Sequence, residues 1–294
     1  MEITIKTPRN FNFKRTVLSH GWYDLLPNEF DRESWSLIRV LDIGSKDPIS
    51  IEITATKREL KINASVKTLS QRAVEKIERD VRHIFRLDDD LSEFYDMMKD
   101  EKEFVWVASN GAGRLLRSPT VFEDLVKTIC TTNCSWGLTD KMVTQLVQNL
   151  GRTTKTGRKA FPTPEAMANV SVDFYKNIIR AGYRAVYFKE LAERVASGEL
   201  NPESWLTNEL PTKEFLREVK NVKGVGPYAA EHILRMVGRY DGLAIDSWVR
   251  PTYSKKHNNG NPCDDAMIRK HYERFGKWQG LALWCDMTQN WIED

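Results

Sequence analysis

Cysteine is scarce in this chain: Cys130, Cys134, Cys263 and Cys285 are too few and too scattered for a disulfide framework. Cys130 and Cys134 tempt a metal reading, but no second pair stands near them, so buried free thiols are expected. No stretch approaches the ~20 consecutive apolar residues of a membrane span. The opening Met1-Glu2-Ile3-Thr4-Ile5-Lys6 reads as a strand and has no apolar signal core. A soluble, intracellular protein is therefore expected. A dominant charge is missing as well: 44 Lys and Arg against 41 Asp and Glu leave +3. That balance does not by itself imply a nucleic-acid partner. Internal repeats and low-complexity tracts are also lacking.

What is present is a switch of period. Up to about residue 65 the pattern is that of strands: Ile3 and Ile5 alternate with polar residues, and apolar runs follow at Ser36 to Ile43, Ile49 to Thr56 and Glu59 to Ala64. From Ser70 the period is helical, with Ala73, Val74, Ile77, Val81 and Ile84 on one stripe. Ser118 followed by Pro119 predicts the start of another helix, with Phe122, Leu125, Val126 and Ile129 as its stripe. Met142, Leu146 and Leu150 predict the next, stopped by Gly151. Shorter helices are predicted at 172–181, 185–196, 213–220, 227–237, 247–253, 264–275 and 279–291. The class is α+β: an antiparallel β domain over 1–68 and a helical region over 69–294. The polar, basic stretch 152–159 reads as a mobile surface loop, with contact to a phosphate backbone as the lesser alternative.

One segment carries more than fold. In Val222-Lys223-Gly224-Val225-Gly226-Pro227-Tyr228-Ala229-Ala230, two glycines around an apolar residue allow a tight hairpin with outward-facing amides. Pro227 suits the first position of the following helix, whose positive end favours an anion over the hairpin. Such a device grips a phosphate diester without reading bases. Asp246 comes 18 residues after Tyr228, beyond the apolar run Leu243-Ala244-Ile245. Lys220, Lys223, Arg235, Arg239, Arg250, Lys255 and Lys256 are expected to cluster around the hairpin.

The hairpin at about 213–238 with its spaced Asp, together with Leu115 to Glu123, Cys130-Thr131-Thr132-Asn133 and Ala181 to Ala185, resembles the helix-hairpin-helix DNA glycosylase superfamily. The likeness runs from about Leu87 to Trp291 and is nearest to the 3-methyladenine and 8-oxoguanine branches. A bare Gly-x-Gly hairpin also serves ligases, polymerases and nucleases; the spaced Asp and upstream segments narrow it. The resemblance implies hydrolysis of the bond between a flipped-out base and C1′ of its sugar. Asp246 then stabilises the oxocarbenium-like transition state and activates water, while its other reading is an N-cap of the helix after it. Tyr228 occupies the position of the lysine that forms a Schiff base in bifunctional members. A tyrosine forms no imine, so an enzyme without lyase activity is implied.

Further roles follow from the same resemblance. Asn133 matches the residue inserted into the emptied duplex, with turn chemistry as its alternative. Tyr183 and Arg184 match positions that wedge the opposite strand and contact the orphaned base. Lys223, Gly224, Val225 and Gly226 face the phosphates. The carbonyls of Lys220, Val222 and Val225 match those holding a structural Na⁺ or K⁺. With only Cys263 and Cys285 after Asp246, no iron–sulfur cluster is expected, and no other cofactor is required.

Two departures concern the substrate. Where the oxoguanine branch has Gly-Gln-x-Phe-Arg-Trp, this chain has Ser19-His20-Gly21-Trp22-Tyr23-Asp24, and an arginine that reads the opposite cytosine is replaced near Leu138. These point away from oxoguanine and toward alkylated purines, whose positive charge suits an aromatic pocket. Tyr228, Trp136, Trp248 and Trp284 are the pocket candidates, with Trp278, His20 and His232 as further ones. The expected partner is duplex DNA bearing a damaged base, met by a monomer in the nucleoid or nucleus. A mismatch (thymine or uracil) or oxidised-purine glycosylase is the alternative, and a non-catalytic DNA-binding protein the second.

Overall fold

The structure, a computed structural model, describes residues 1–292. Strand β1 (Glu2–Lys6) and helix α1 (Phe13–Val17) precede strands β2 (Asn28–Asp31), β3 (Ser36–Leu41), β4 (Ile49–Ala55) and β5 (Glu59–Ala64). All pairings are antiparallel, in the order β1-β5-β4-β3-β2. Alternation decides the inner face: Ile49, Ile51 and Ile53 of β4 are buried beside Leu60, Ile62 and Ala64 of β5.

Helices follow: α2 (Gln71–Ile84), α3 (Ser92–Lys99), α4 (Val105–Ser109), α5 (Val121–Thr131), α6 (Trp136–Leu150), α7 (Pro164–Ala168), α8 (Val172–Asn177) and α9 (Ala185–Ala196). The chain closes with α10 (Thr212–Lys220), α11 (Pro227–Met236), α12 (Val249–His257), α13 (Asp265–Tyr272) and α14 (Gln279–Thr288). The stripe read in α2 is its buried face, and the Ser70 hydroxyl caps it by accepting from Ala73 N at 3.3 Å. For α5 the cap is Thr120, not Ser118: its Oγ1 accepts from Glu123 N at 3.2 Å. Ser118 and Pro119 form the turn before it, where the Ser118 amide donates to Asp124 Oδ1 at 2.9 Å.

The cores do not divide at residue 68. One cluster joins the inner face of the sheet to α2, α5, α6, α9, α10 and α11, while a second gathers α3, α4, α12, α13 and α14. A buried ion pair stitches the sheet to the helices: Arg39 of β3 meets Glu123 of α5 at 2.5 Å, and Lys127 meets the same carboxylate at 2.7 Å. The 152–159 loop is tied to the sheet rather than free. Arg152 pairs with Asp42 at 2.7 Å and Arg158 with Glu29 at 2.9 Å. Those arginines are therefore occupied by protein acids, which removes the reason for placing them on DNA.

Candidate active site

Between the two cores opens a cleft of about 1450 Å³. Many parts of the chain line it: residues 18–24, the turn between α5 and α6, Tyr183 and Tyr187, the hairpin with the start of α11, the segment around Asp246, the start of α13, and Trp284 and Trp291. The hairpin turns at Gly224, whose φ is +91° and whose added β-carbon would lie 2.5 Å from the Tyr187 ring. Only glycine satisfies both demands. Gly226 is the N-cap of α11 and Pro227 its first residue. Among the described residues the amides of Gly224 and Gly226 have no hydrogen-bond acceptor, while Val225 N donates to Val222 O at 3.0 Å. Two unpaired donors at a helix N-terminus make an anion site.

Asp246 sits half-buried on the wall of this cleft. Its Oδ1 accepts from Trp248 N at 2.9 Å and Val249 N at 2.7 Å, which fixes the carboxylate at the entry of α12. The N-cap reading therefore holds, and the residue also faces the cleft. Beside it, burial and the Asp246 charge push the Tyr228 phenol up to about 12. Tyr228 is therefore neutral at physiological pH.

Aromatic groups make the rest of the wall. Trp248, Trp284 and Trp291 form a triangle with ring centroids 5.4 to 5.8 Å apart. Arg235 is buried and covers one face of Trp284 at 4.2 Å. Opposite lie His20, Trp22 and His232, with ring centroids 4.7 to 6.1 Å apart. The Trp22 indole donates to Asp124 Oδ1 at 2.7 Å. At the rim, Trp136 lies over Gly21, where a β-carbon would come within 2.2 Å of its ring. Its indole donates to Asp24 at 3.0 Å.

Curated and solved proteins place this architecture. A DNA-3-methyladenine glycosylase of Bacillus subtilis is 24% identical over 297 residues, covering 96% of each chain. The 3-methyladenine DNA glycosylase structure from Archaeoglobus fulgidus superposes with a TM-score of 0.79 at 19% identity, over 99% of this chain and 98% of that one. A Clostridium acetobutylicum 8-oxoguanine glycosylase/lyase, solved with double-stranded DNA containing cytosine opposite 8-oxoguanine, gives 0.75 at 21% identity over 99% of both. The chain has the helix-hairpin-helix DNA glycosylase fold. No family model matches it.

Within that glycosylase fold, the cleft brings together Asp246, Tyr228, Trp136, Trp248, Trp284, Asn133, Tyr183, Gly224, Val225 and Gly226. Asn133 stands exposed at the tip of the α5–α6 turn with φ +48°. Asn tolerates this left-handed conformation, so the turn holds the side chain out toward the cleft. Tyr183 is 52% exposed and packs edge-on to Tyr187.

Other expectations need correction. Arg184 is buried, and its guanidinium donates to the carbonyls of Ile129 (3.2 Å) and Thr132. Buried and off the cleft lining, it braces the Asn133 turn instead of reaching an orphaned base. Trp278 belongs to the second core, stacked on Tyr240 at 5.5 Å. The basic cluster is largely neutralised. Lys223 pairs with Glu190 at 2.8 Å, Arg250 with Asp265 at 2.8 Å and Lys256 with Asp286 at 2.7 Å, and Arg235 is inside. Among the described residues, Lys220 and Lys255 are the members of that group without an ion-pair or hydrogen-bond partner. Trp291, Tyr187 and Glu231 also line the cleft and were not anticipated. Nothing local distinguishes them; only their place in the fold does.

Burial pushes the His20 imidazole down to about 3, and its contact with the Leu116 carbonyl only partly opposes this. His232 is driven well below its ordinary value by burial and by Arg235. Both rings are neutral in the fold, whereas the unfolded chain protonates them near 6.5. Their contribution to stability is therefore complete above about 6.5 and is lost as pH falls toward about 3. Asp124 opposes this, since burial raises it to about 6, so its penalty eases on acidification. His83, also lowered to about 3 by burial, sides with the two rings, and Asp80, Glu203 and Glu231, raised by burial, side with Asp124; the histidine shifts are the larger. The unfolding temperature should fall from pH 7 to pH 5, and His20→Gln should flatten that slope; an unchanged slope in thermal scans would contradict the assignment.

Proposed function

We propose that the protein is a DNA glycosylase without lyase activity, which hydrolyses the N-glycosidic bond of a flipped-out alkylated purine and leaves an abasic site. The observation that carries this reading is the pairing of Asp246 with Tyr228 in a cleft whose lining contains no lysine among the described residues. A Schiff-base nucleophile needs an amine, and none is at hand. The Asp246 carboxylate, held by two amides, supplies the fixed negative charge that a developing oxocarbenium ion demands and an acceptor for the attacking water's proton.

The chemistry of the walls favours a cationic base. Neutral His20 and His232 do not repel it, and the tryptophan faces not already covered, as Arg235 covers one face of Trp284, offer cation–π attraction of ~0.5–2 kcal/mol. Of the arginines lining the cleft, Arg250 and Arg269 are offset by Asp265 at 2.8 Å and Glu231 at 3.6 Å, while Arg32 packs on the Tyr23 and Phe30 rings. The strand itself is held by the free hairpin amides, with Asn133 and Tyr183 entering the duplex from the opposite side of the cleft. The carbonyls of Lys220 and Val225 have no donor among the described residues, and Val222 O accepts one bond. These hard oxygens suit a monovalent cation that would neutralise phosphate charge without entering the reaction.

Mass spectrometry of bases freed from alkylated, deaminated and oxidised duplexes tests this reading. Alkylated purines should appear, without strand scission and without a borohydride-trapped adduct. Release of thymine, uracil or oxoguanine alone would replace the substrate class; robust trapping would overturn the amine-free mechanism.

The backbone grip makes its own prediction. A β-carbon on Gly226 meets nothing within 4 Å, and its φ of −83° suits any residue. Gly226→Val should therefore leave the unfolding temperature unchanged yet project into the phosphate path. Affinity should drop about equally for all duplex sequences. A sequence-selective loss in anisotropy titrations would argue against a grip made by amides.

A further inference from the structure

Away from the cleft, the last turns of α12 and α13 approach the segment leading into α4. His257, His271 and Glu103 meet there, each with a donor atom within 4.8 Å of the others. Both imidazoles are already oriented. His257 Nε2 faces Asp286 Oδ2 at 2.6 Å, which leaves Nδ1 for the cluster. His271 Nδ1 faces the Tyr253 hydroxyl at 3.0 Å, and its Nε2 is buried without a hydrogen-bond partner. The rings lie 4.7 Å apart. Glu103 is exposed and has no ion pair or hydrogen bond among the described residues. Behind them Asp286 is buried and accepts from Tyr272, with Lys256 at 2.7 Å.

We propose that Glu103, His257 and His271 form a structural binding site for a divalent transition-metal ion of the zinc class. A metal-bound histidine commonly gives its second nitrogen to a carboxylate or hydroxyl, which fixes tautomer and ring orientation. Both histidines here have that partner, and an orphaned buried nitrogen is otherwise a cost. Two imidazoles and one carboxylate suit zinc and its neighbours better than Ca²⁺ or Mg²⁺, which take oxygen ligands. Tetrahedral zinc with bonds of ~2.0–2.2 Å needs its ligand atoms roughly 3.4 Å apart. Exposed Glu103 has the freedom to close the remaining gap, and water completes the set. Such an ion would clip the far ends of α12 and α13 to the entry of α4 within the second core.

The test uses the full chain, stripped by chelator and titrated with Zn²⁺ against a chromophoric competitor. One Zn²⁺ per chain should bind and raise the unfolding temperature. Glu103→Gln and His271→Gln should each weaken binding at least roughly tenfold and abolish the zinc-dependent rise. Glu103→Gln keeps the experiment decisive if the histidine variant is unstable, because Glu103 is on the surface. Absence of Zn²⁺ binding, or binding unchanged in Glu103→Gln, would overturn the assignment; in the second case the ion sits elsewhere.

Discussion

Asp246→Asn should reduce base release by at least about 10²–10³-fold while duplex affinity stays within a factor of about two. The choice of asparagine follows from the geometry. Asp246 Oδ1 accepts from the amides of Trp248 and Val249 at 2.9 and 2.7 Å, and an amide oxygen can take both bonds. Asn is as good an N-cap as Asp, so α12 keeps its start; alanine would cost about 1 kcal/mol there and confuse the two roles. What Asn lacks is the charge that the developing oxocarbenium ion meets and the basicity that water activation needs. Single-turnover release on an alkylated duplex, beside anisotropy with the same duplex, separates the effects. If release survives in the variant, Asp246 is only a cap, and the catalytic reading of the cleft fails with it. If neither protein releases anything from a damage panel, a DNA-binding module without chemistry is the better description.

The sequence showed most clearly what local physics governs. The hairpin needs glycine at 224 for φ +91° and for the Tyr187 ring, and Pro227 starts α11 where its missing amide is harmless. Those demands act within a few residues and are visible in the order of amino acids. Strands β3, β4 and β5 were visible for the same reason, through alternation. Less visible were elements whose stability is tertiary. Strand β2 and helices α1, α4 and α7 are four or five residues long, too short for a periodic signal, and are held by the cores they join. Helix α12 runs from Val249, two residues past the expected Ser247, although Asp246 accepts from the amides of Trp248 and Val249. The tryptophans divide by fold alone: Trp278 is core and Trp291 is cleft, and no neighbouring residue separates them. The charges mislead most. A run of Lys and Arg near the hairpin suggests a DNA footprint, yet Glu190, Asp265 and Asp286 lie far away in sequence and neutralise three of its members.

Arg86→Leu should destabilise the fold by roughly 3–5 kcal/mol, lowering the unfolding temperature by roughly 6–10 °C for a chain of this size. Arg86 is completely buried. Its Nε donates to Leu115 O at 2.9 Å; Nη1 meets Asp89 at 2.8 Å and the Tyr240 hydroxyl at 3.3 Å; Nη2 donates to the carbonyls of Arg235 and Met236 at 2.9 and 2.6 Å. The last two are C-terminal carbonyls of α11; Gly238 N also reaches Arg235 O at 3.1 Å, whereas Met236 O relies on arginine side chains. Arg86 therefore closes the helix that carries Tyr228 and His232, and joins it to the end of α2 and to the strand of chain entering α5. Leucine fills part of the volume but leaves buried Leu115 O without a donor, leaves Arg235 O to Gly238 N and Met236 O to Arg117 alone, and leaves Asp89 facing only Arg117, which is where the cost arises. Lysine retains the charge yet lacks the planar fork, so Arg86→Lys should fall between the two. Base release should decline with the loss of α11 order even though Arg86 faces no part of the cleft. A loss of stability below about 1 kcal/mol in denaturant titrations would show that solvent reaches these groups once the arginine is gone, and that α11 is held in place by its apolar face instead.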